Sequence, residues 1–264
     1  MTDPATPDGD VTFEVVDGVG VMTLSRPAAR NAITVPMYRQ LKAICEGIAP
    51  GGAVSALIVR GAGDKAFAAG TDIAHFRDFS TPEHALAYER EMDGILTALE
   101  TCPVPTIAAI AGACTGGGAA IAACCDIRMA TPSIRFGIPI AKTLGNCLSM
   151  GTLARLSSLM GPARVKDMVL SARLIEADEA LAVGIVTEIA PDFDALMGRA
   201  HARAADMGRN APLTLRATKE AMRRLRPQTA GADSDLITMC YMSADFREGQ
   251  EAFLAKRPPR WQGR

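Results

Sequence analysis

Residues 101–125 carry no charged side chain. A run of that length either crosses a membrane or is buried inside a globule. Pro103, Pro105 and the triplet Gly116-Gly117-Gly118 interrupt it, and large aliphatic side chains are scarce. A spanning helix needs about 20 well-packed apolar residues without a loop. The run therefore reads as a buried strand over Val104 to Ile110, a glycine loop, and a buried helix over Gly117 to Cys125. Burying them takes a large core. A chain of 264 residues can support one such core, or a core with a small helical appendage.

The flanking sequence supplies the rest of that core. Val11 to Val16 and Val19 to Leu24 are β-rich runs around Asp17-Gly18, the pattern of a hairpin. Pro36 to Ile48 has helical periodicity through Met37, Leu41, Ile44 and Ile48. Ala56 to Val59 is a short strand. Residues 65–80 have no clean period. Thr81-Pro82 opens a helix that runs to about Thr101. Asp126 to Ala130 and Val186 to Ile189 read as strands, and Ser149 to Met160, Pro162 to Leu170 and Ala177 to Val183 as helices. From Asp192 onward the pattern is helical, with breaks near Gly208 and Pro227. Residues 1–10 read as frayed. Strands alternating with helices predict an α/β fold with βαβ crossovers over residues 1–190, and a helical lobe over residues 191–264.

Charge and cysteine usage exclude several functions. A composition 48% hydrophobic and 22% charged is that of a globular protein, not a disordered one. Lys+Arg 28 against Asp+Glu 29 leaves net charge −1. There is no positive field or basic stripe to hold nucleic acid or an anionic membrane. Seven cysteines without a CxxC pair and three isolated histidines speak against a disulfide framework and a metal site, and fit a reducing cytoplasm. The start, MTDPATPDGD, is not a signal peptide.

Two glycine-bearing segments carry the chemistry. Lys65 to Ile73 reads KAFAAGTDI and follows a strand and loop. Ile110 to Gly118 reads IAGACTGGG and lies between a strand and the buried helix. Glycine lets backbone approach a ligand, and a helix N-terminus offers unpaired N–H groups with partial positive charge. Each segment alone fits a tight turn equally well. Neither is a P-loop or a GxGxxG motif.

Taken together and in order, these pieces resemble the crotonase superfamily, the enoyl-CoA hydratase/isomerase family. The resembling elements are Ser25-Arg26-Pro27 with Arg30-Asn31-Ala32-Ile33, then Phe67 to Ile73, then Ala111-Gly112 through Gly118 with Cys125-Asp126-Ile127. Phe136-Gly137 with Pro139, Ala180 to Gly184 with Val186, and Ala252-Phe253 with Lys256-Arg257 follow. The resemblance implies a crotonase-like ββα spiral core with a C-terminal helical trimerisation lobe, assembled as a trimer or a dimer of trimers. It implies an acyl-CoA substrate and no separate cofactor. Carried over residue by residue, the backbone N–H groups of Thr71 and Gly117 form an oxyanion hole for the thioester carbonyl. Backbone around Arg30, Ala32, Ala68, Ala69, Asp72 and Ile73 holds the CoA. Lys256 reads either as a partner of CoA phosphates, supplied by a neighbouring subunit, or as a solvated tail lysine.

The sequence departs from the family where hydration would occur. The resemblance places two water-activating glutamates at positions that are Ala120 and Ile140 here. Two replacements are open. Asn146 falls where a dehalogenase branch carries a nucleophilic Asp; it reads either as a group that orients water or a carbonyl, or as a loop or N-cap residue. Glu91 lies three residues after Tyr88 and four before Ile95; it reads either as facing the acyl pocket or as part of a solvated helix face. The expectation is an acyl-CoA enzyme acting through an enolate, with hydratase-like lyase chemistry on non-standard groups. The alternatives are isomerase, decarboxylase, thioester hydrolase, or an acyl-CoA-binding protein without turnover.

Overall fold

The computed structural model describes residues 9–226 and 232–264. The expected break at Pro227 and most of the expected frayed start lie outside them. The chain opens with β1 (Asp10–Val16) and β2 (Val19–Ser25), paired antiparallel in the register Val16↔Val19. Asp17 and Gly18 both take left-handed backbone, φ 50° and 78°, as a two-residue hairpin turn requires. α1 (Val35–Gly47) follows. Its Thr34 N-cap accepts from the Met37 N–H, and Met37, Leu41 and Cys45 turn inward. β3 (Ala56–Gly61), β4 (Ala66–Ala68), α2 (Pro82–Glu100), β5 (Thr106–Ile110), β6 (Ala113–Thr115), α3 (Gly117–Cys124), β7 (Ile127–Ala130) and β8 (Arg135–Gly137) come next. α4 (Ile140–Thr143), α5 (Met150–Met160), α6 (Pro162–Leu170), α7 (Ala177–Ala182) and β9 (Glu188–Ile189) precede a helical tail. The tail holds α8 (Phe193–Gly208), α9 (Pro212–Arg224), α10 (Ser234–Tyr241) and α11 (Ala244–Leu254).

The strands form two sheets. Six order as β1-β2-β3-β5-β7-β9, parallel from β2 onward. β4, β6 and β8 form a second, fully parallel sheet of three. That second sheet had no signature in the sequence: each strand is three residues long, too short for a period of two to register. The α/β architecture is the expected one.

The uncharged run is buried as expected. Ile107 to Ile110 and Ala119 to Cys125 are all buried, with α3 inside the main core. The expected division at residue 190 separates strand-bearing from all-helical chain, but packing continues across it. Leu196, Ala200 and Ala204 of α8 are fully buried against Val19, Ile58, Ile107 and Met129 of the six-stranded sheet. Further on, Tyr241 of α10 is buried in the main core.

Candidate active site

β4, β6 and β8 run in the same direction, so their C-terminal ends deliver chain to one edge. β4 leads into Ala69-Gly70-Thr71, β6 into Gly116-Gly117, and β8 into Ile138-Pro139-Ile140. All of these line one cavity, roofed by α2.

Two backbone N–H groups of the cavity-lining residues are left outside the local hydrogen-bond ladders. Ile33 pairs with Thr71 in a parallel bridge: Ile33 N–H donates to Gly70 O and Asp72 N–H donates to Ile33 O, each at 2.8 Å. Because its two neighbours make those bonds, the Thr71 N–H points to the opposite side. Gly116 lies nearby, and a Cβ on it would come within 3.3 Å of Gly70 Cα. Gly116 donates to Gly137 O at 2.9 Å and takes φ 54°, ψ −120°, a conformation suited to glycine. The turn leaves Gly117 as the first residue of α3. Its N–H is beyond the helix's own ladder and sits at the positive end of the helix dipole.

The segments expected to hold CoA are tied into one knot. Arg30, in left-handed backbone, accepts the Ala69 N–H at 3.0 Å. The Arg26 guanidinium pairs with Asp72 at 2.6 Å and reaches Ala32 O at 3.5 Å. Burial works against the Asp72 carboxylate, but the Ala74 N–H and Arg26 hold it below the ordinary value. Asn31 is buried at the centre. It accepts the Arg26 N–H at 3.0 Å and donates to Ala62 O and Ala66 O at 3.0 and 2.7 Å. Ala68 closes β4, and Ile73 lines the cavity. Lys256 is exposed just after α11, in left-handed backbone, and is not part of the cavity lining.

Ala120 and Ile140 both line the cavity, so its wall is apolar at both positions. Asn146 also lines it. Ser149 takes the N-cap of α5, accepting the Thr152 N–H at 3.2 Å, so Asn146 is free of that duty. The Asn146 amide donates to the Tyr241 hydroxyl at 3.3 Å, while its Oδ1 is buried with no partner among the described residues.

Glu91 requires a correction. Its side chain points away from the cavity and pairs with Arg39 of α1 at 2.7 Å, at the surface. The glutamate inside the cavity is Glu89, which the sequence reading missed. It accepts the Tyr241 hydroxyl at 2.5 Å. Burial raises its carboxyl to about 7; the Tyr241 hydrogen bond opposes the rise, and Asp233 and Asp93 add to it. The only signal was partial: Glu89 is four residues after Ala85 and three before Met92, but Glu91 flanks the same inward stripe of α2 from the other side, so spacing did not choose between them. Tyr241 had no comparable signal, because it arrives from the far end of the chain.

The sequence model of the family described as Enoyl-CoA hydratase/isomerase matches residues 14–264. A short-chain-enoyl-CoA hydratase of Clostridium acetobutylicum is 33% identical over 252 residues, covering 94% of this chain and 95% of that one. The crystal structure of an enoyl-CoA hydratase/carnithine racemase from Magnetospirillum magneticum is similar at TM-score 0.77 and 35% identity, covering 96% of each chain. A methylmalonyl-CoA decarboxylase in complex with 2-nitronate-propionyl-CoA is similar at TM-score 0.86 and 25% identity, covering 97% of this chain and 99% of that one. With the family's sequence model matched over nearly the whole chain and the fold of its solved members reproduced, the chain belongs to the enoyl-CoA hydratase/isomerase family, the crotonase superfamily.

Proposed function

We propose that the chain binds an acyl-CoA thioester with its carbonyl oxygen between the N–H groups of Thr71 and Gly117, and that ionised Glu89 takes a proton from a carbon of the acyl chain, leaving an enolate, and returns that proton to another carbon. This is the chemistry of an enoyl-CoA isomerase. The observation that carries the reading is Glu89: among the described residues lining the cavity it is the only carboxylic acid. A carboxyl near 7 is divided between acid and base at neutral pH, so one group can take a proton from one carbon and return it to another. Enolate charge collects on the thioester oxygen, where two preorganised amides stabilise it. Water addition asks for an oriented water, and Ala120 and Ile140 supply no polar group for one.

Decarboxylation is the second reading. The likeness to the methylmalonyl-CoA decarboxylase favours it, and an oxyanion hole can stabilise its enolate unaided. Against it, among the described residues no Lys, Arg or His lines the cavity to hold a substrate carboxylate, and ionised Glu89 would repel one.

In this reading the Arg26–Asp72 knot holds pantetheine and adenine through backbone at Arg30, Ala32, Ala68, Ala69, Asp72 and Ile73. Lys256 reaches CoA phosphates from a neighbouring subunit. The assembly is a trimer or dimer of trimers. Leu213, Met222 and Leu225 are 76%, 62% and 77% exposed on or just after α9, a helix with no buried residue, and oligomer contacts would cover them. Seven free thiols suit a reducing cytoplasm.

The test is an LC–MS screen of 3-enoyl, 2-enoyl and malonyl-type CoA thioesters. Interconversion of 3-enoyl and 2-enoyl esters, with little 3-hydroxyacyl product, is expected. Fast hydration alone, loss of CO2 alone, or saturable binding without turnover would each overturn the isomerase reading.

A further inference from the structure

The oxyanion hole has a feature that two backbone amides do not account for. Tyr38, on α1, is almost fully buried, and its hydroxyl reaches the cavity. That hydroxyl lies 2.9 Å from Thr71 Oγ1. A Cβ built on Gly117 would fall 2.1 Å from the Tyr38 oxygen and 2.8 Å from Thr71 Oγ1. Both hydroxyls therefore converge on the backbone of Gly117, beside the N–H that starts α3. Tyr88 lines the same cavity.

Counting protons shows what this cluster can do. Two hydroxyls carry two protons and share one hydrogen bond, in which either oxygen can be the donor. With Thr71 donating, the phenol proton is left to donate, and the cavity is where an acceptor can meet it. Burial pushes the Tyr38 phenol up to about 12, so it keeps its proton at neutral pH.

We infer that the Tyr38 hydroxyl is a third donor to the thioester oxygen, held in place by the Thr71 side chain beside the Gly117 amide. Tyr38 is then a catalytic residue of this chain, and the Thr71 hydroxyl a positioning group distinct from the Thr71 amide. The inference rests on the thioester reading above. A charge-bearing enolate oxygen can accept more than two hydrogen bonds, so a third donor strengthens as charge develops. It also explains why glycine stands at 117 independently of the turn: any side chain there would displace the phenol.

The test uses a chromophoric cinnamoyl-type CoA thioester, whose absorbance shifts to the red when its carbonyl is polarised. Tyr38→Phe keeps the ring and removes the oxygen. The expected result is binding within about threefold of the original protein, a clearly smaller red shift, and a kcat lowered by roughly 10- to 100-fold with KM nearly unchanged. An undiminished shift and unchanged kcat would overturn the inference. Should the variant fail to fold, the unaltered protein still decides the matter. It holds three tyrosines, so 3-fluorotyrosine labelling gives three 19F signals, assigned by Tyr88→Phe and Tyr241→Phe. The Tyr38 signal should move when a thioester binds and not when a thioether lacking the carbonyl oxygen binds. An equal response to both would refute the role. If no CoA thioester binds the original protein at all, the functional reading itself falls, a result separate from either of these.

Discussion

Replacing Glu89 by Gln removes the proposed proton carrier while leaving its surroundings nearly intact. Glutamine keeps a carbonyl oxygen able to accept the Tyr241 hydroxyl, which now donates to Glu89 at 2.5 Å. Burial raises the carboxyl from an ordinary 4.5 to about 7, so base and acid are both populated near neutral pH. In the variant neither exists. Losing a positioned acid–base group costs about 10²–10⁴ in rate, or about 2.7–5.4 kcal/mol of barrier at 1.36 kcal/mol per tenfold. The loss should fall on kcat, with KM little changed, because the carboxyl acts on the reacting carbons and not on the CoA. In the original protein kcat/KM should rise with pH to a plateau above about 7, and the Gln variant should lack that limb. Stability gives a second readout. The fold disfavours ionised Glu89, so its contribution is intact below the ordinary carboxyl value and is lost as pH climbs through about 7. The melting temperature of Glu89→Gln should therefore gain on that of the original protein between pH 5 and pH 8. Glu91→Gln is the matched control. It breaks only the surface pair with Arg39, which is worth about 1 kcal/mol or less, and should leave turnover unchanged. Full activity and an unaltered pH profile in Glu89→Gln, or a large loss in Glu91→Gln, would refute the assignment.

Four further outcomes are expected. Gly117→Pro removes a proposed oxyanion donor and crowds Tyr38, so turnover should be abolished, with about 3–4 kcal/mol of transition-state stabilisation lost, as read by steady-state rates. Ala120→Glu should recover little hydration of crotonyl-CoA by LC–MS, because a carboxyl in that apolar wall takes up a proton and the position of Ile140 still offers no polar group to orient water. Asn31→Ala loses three hydrogen bonds and a residue type suited to φ 56°; it should cost on the order of 2–4 kcal/mol, seen as a lower melting temperature. Light scattering at micromolar concentration should report a trimer or hexamer, and a monodisperse monomer would remove the oligomer reading.

The local elements were legible wherever one chemical signal dominated. Asp17-Gly18 allows a left-handed pair, so the hairpin and its register follow from two residues. The uncharged run has one arrangement that satisfies its backbone, a buried strand and a buried helix around a glycine turn. The turn in turn exposes the Gly117 amide. The three-residue strands β4, β6 and β8 were not legible, because their hydrogen bonds are all made to distant chain and leave no periodic trace. Yet these strands bring Thr71, Gly117 and Ile140 to one edge.

The two glutamates of α2 mark where sequence ends and tertiary structure begins. Residues two apart on a helix are separated by about 200° around its axis. The apolar stripe of Ala85, Tyr88, Met92, Ile95, Leu96 and Leu99 runs between them, with Glu89 on one flank and Glu91 on the other. The helix alone cannot say which flank meets solvent. That was decided by what packs there: α1 brings Arg39 to Glu91 at the surface, and α10 brings Tyr241 to Glu89 inside the cavity. Tyr241 is 152 residues further along the chain, so no local pattern could pair them. The carboxyl's raised titration comes from burial, which exists only once that distant helix has closed the cavity.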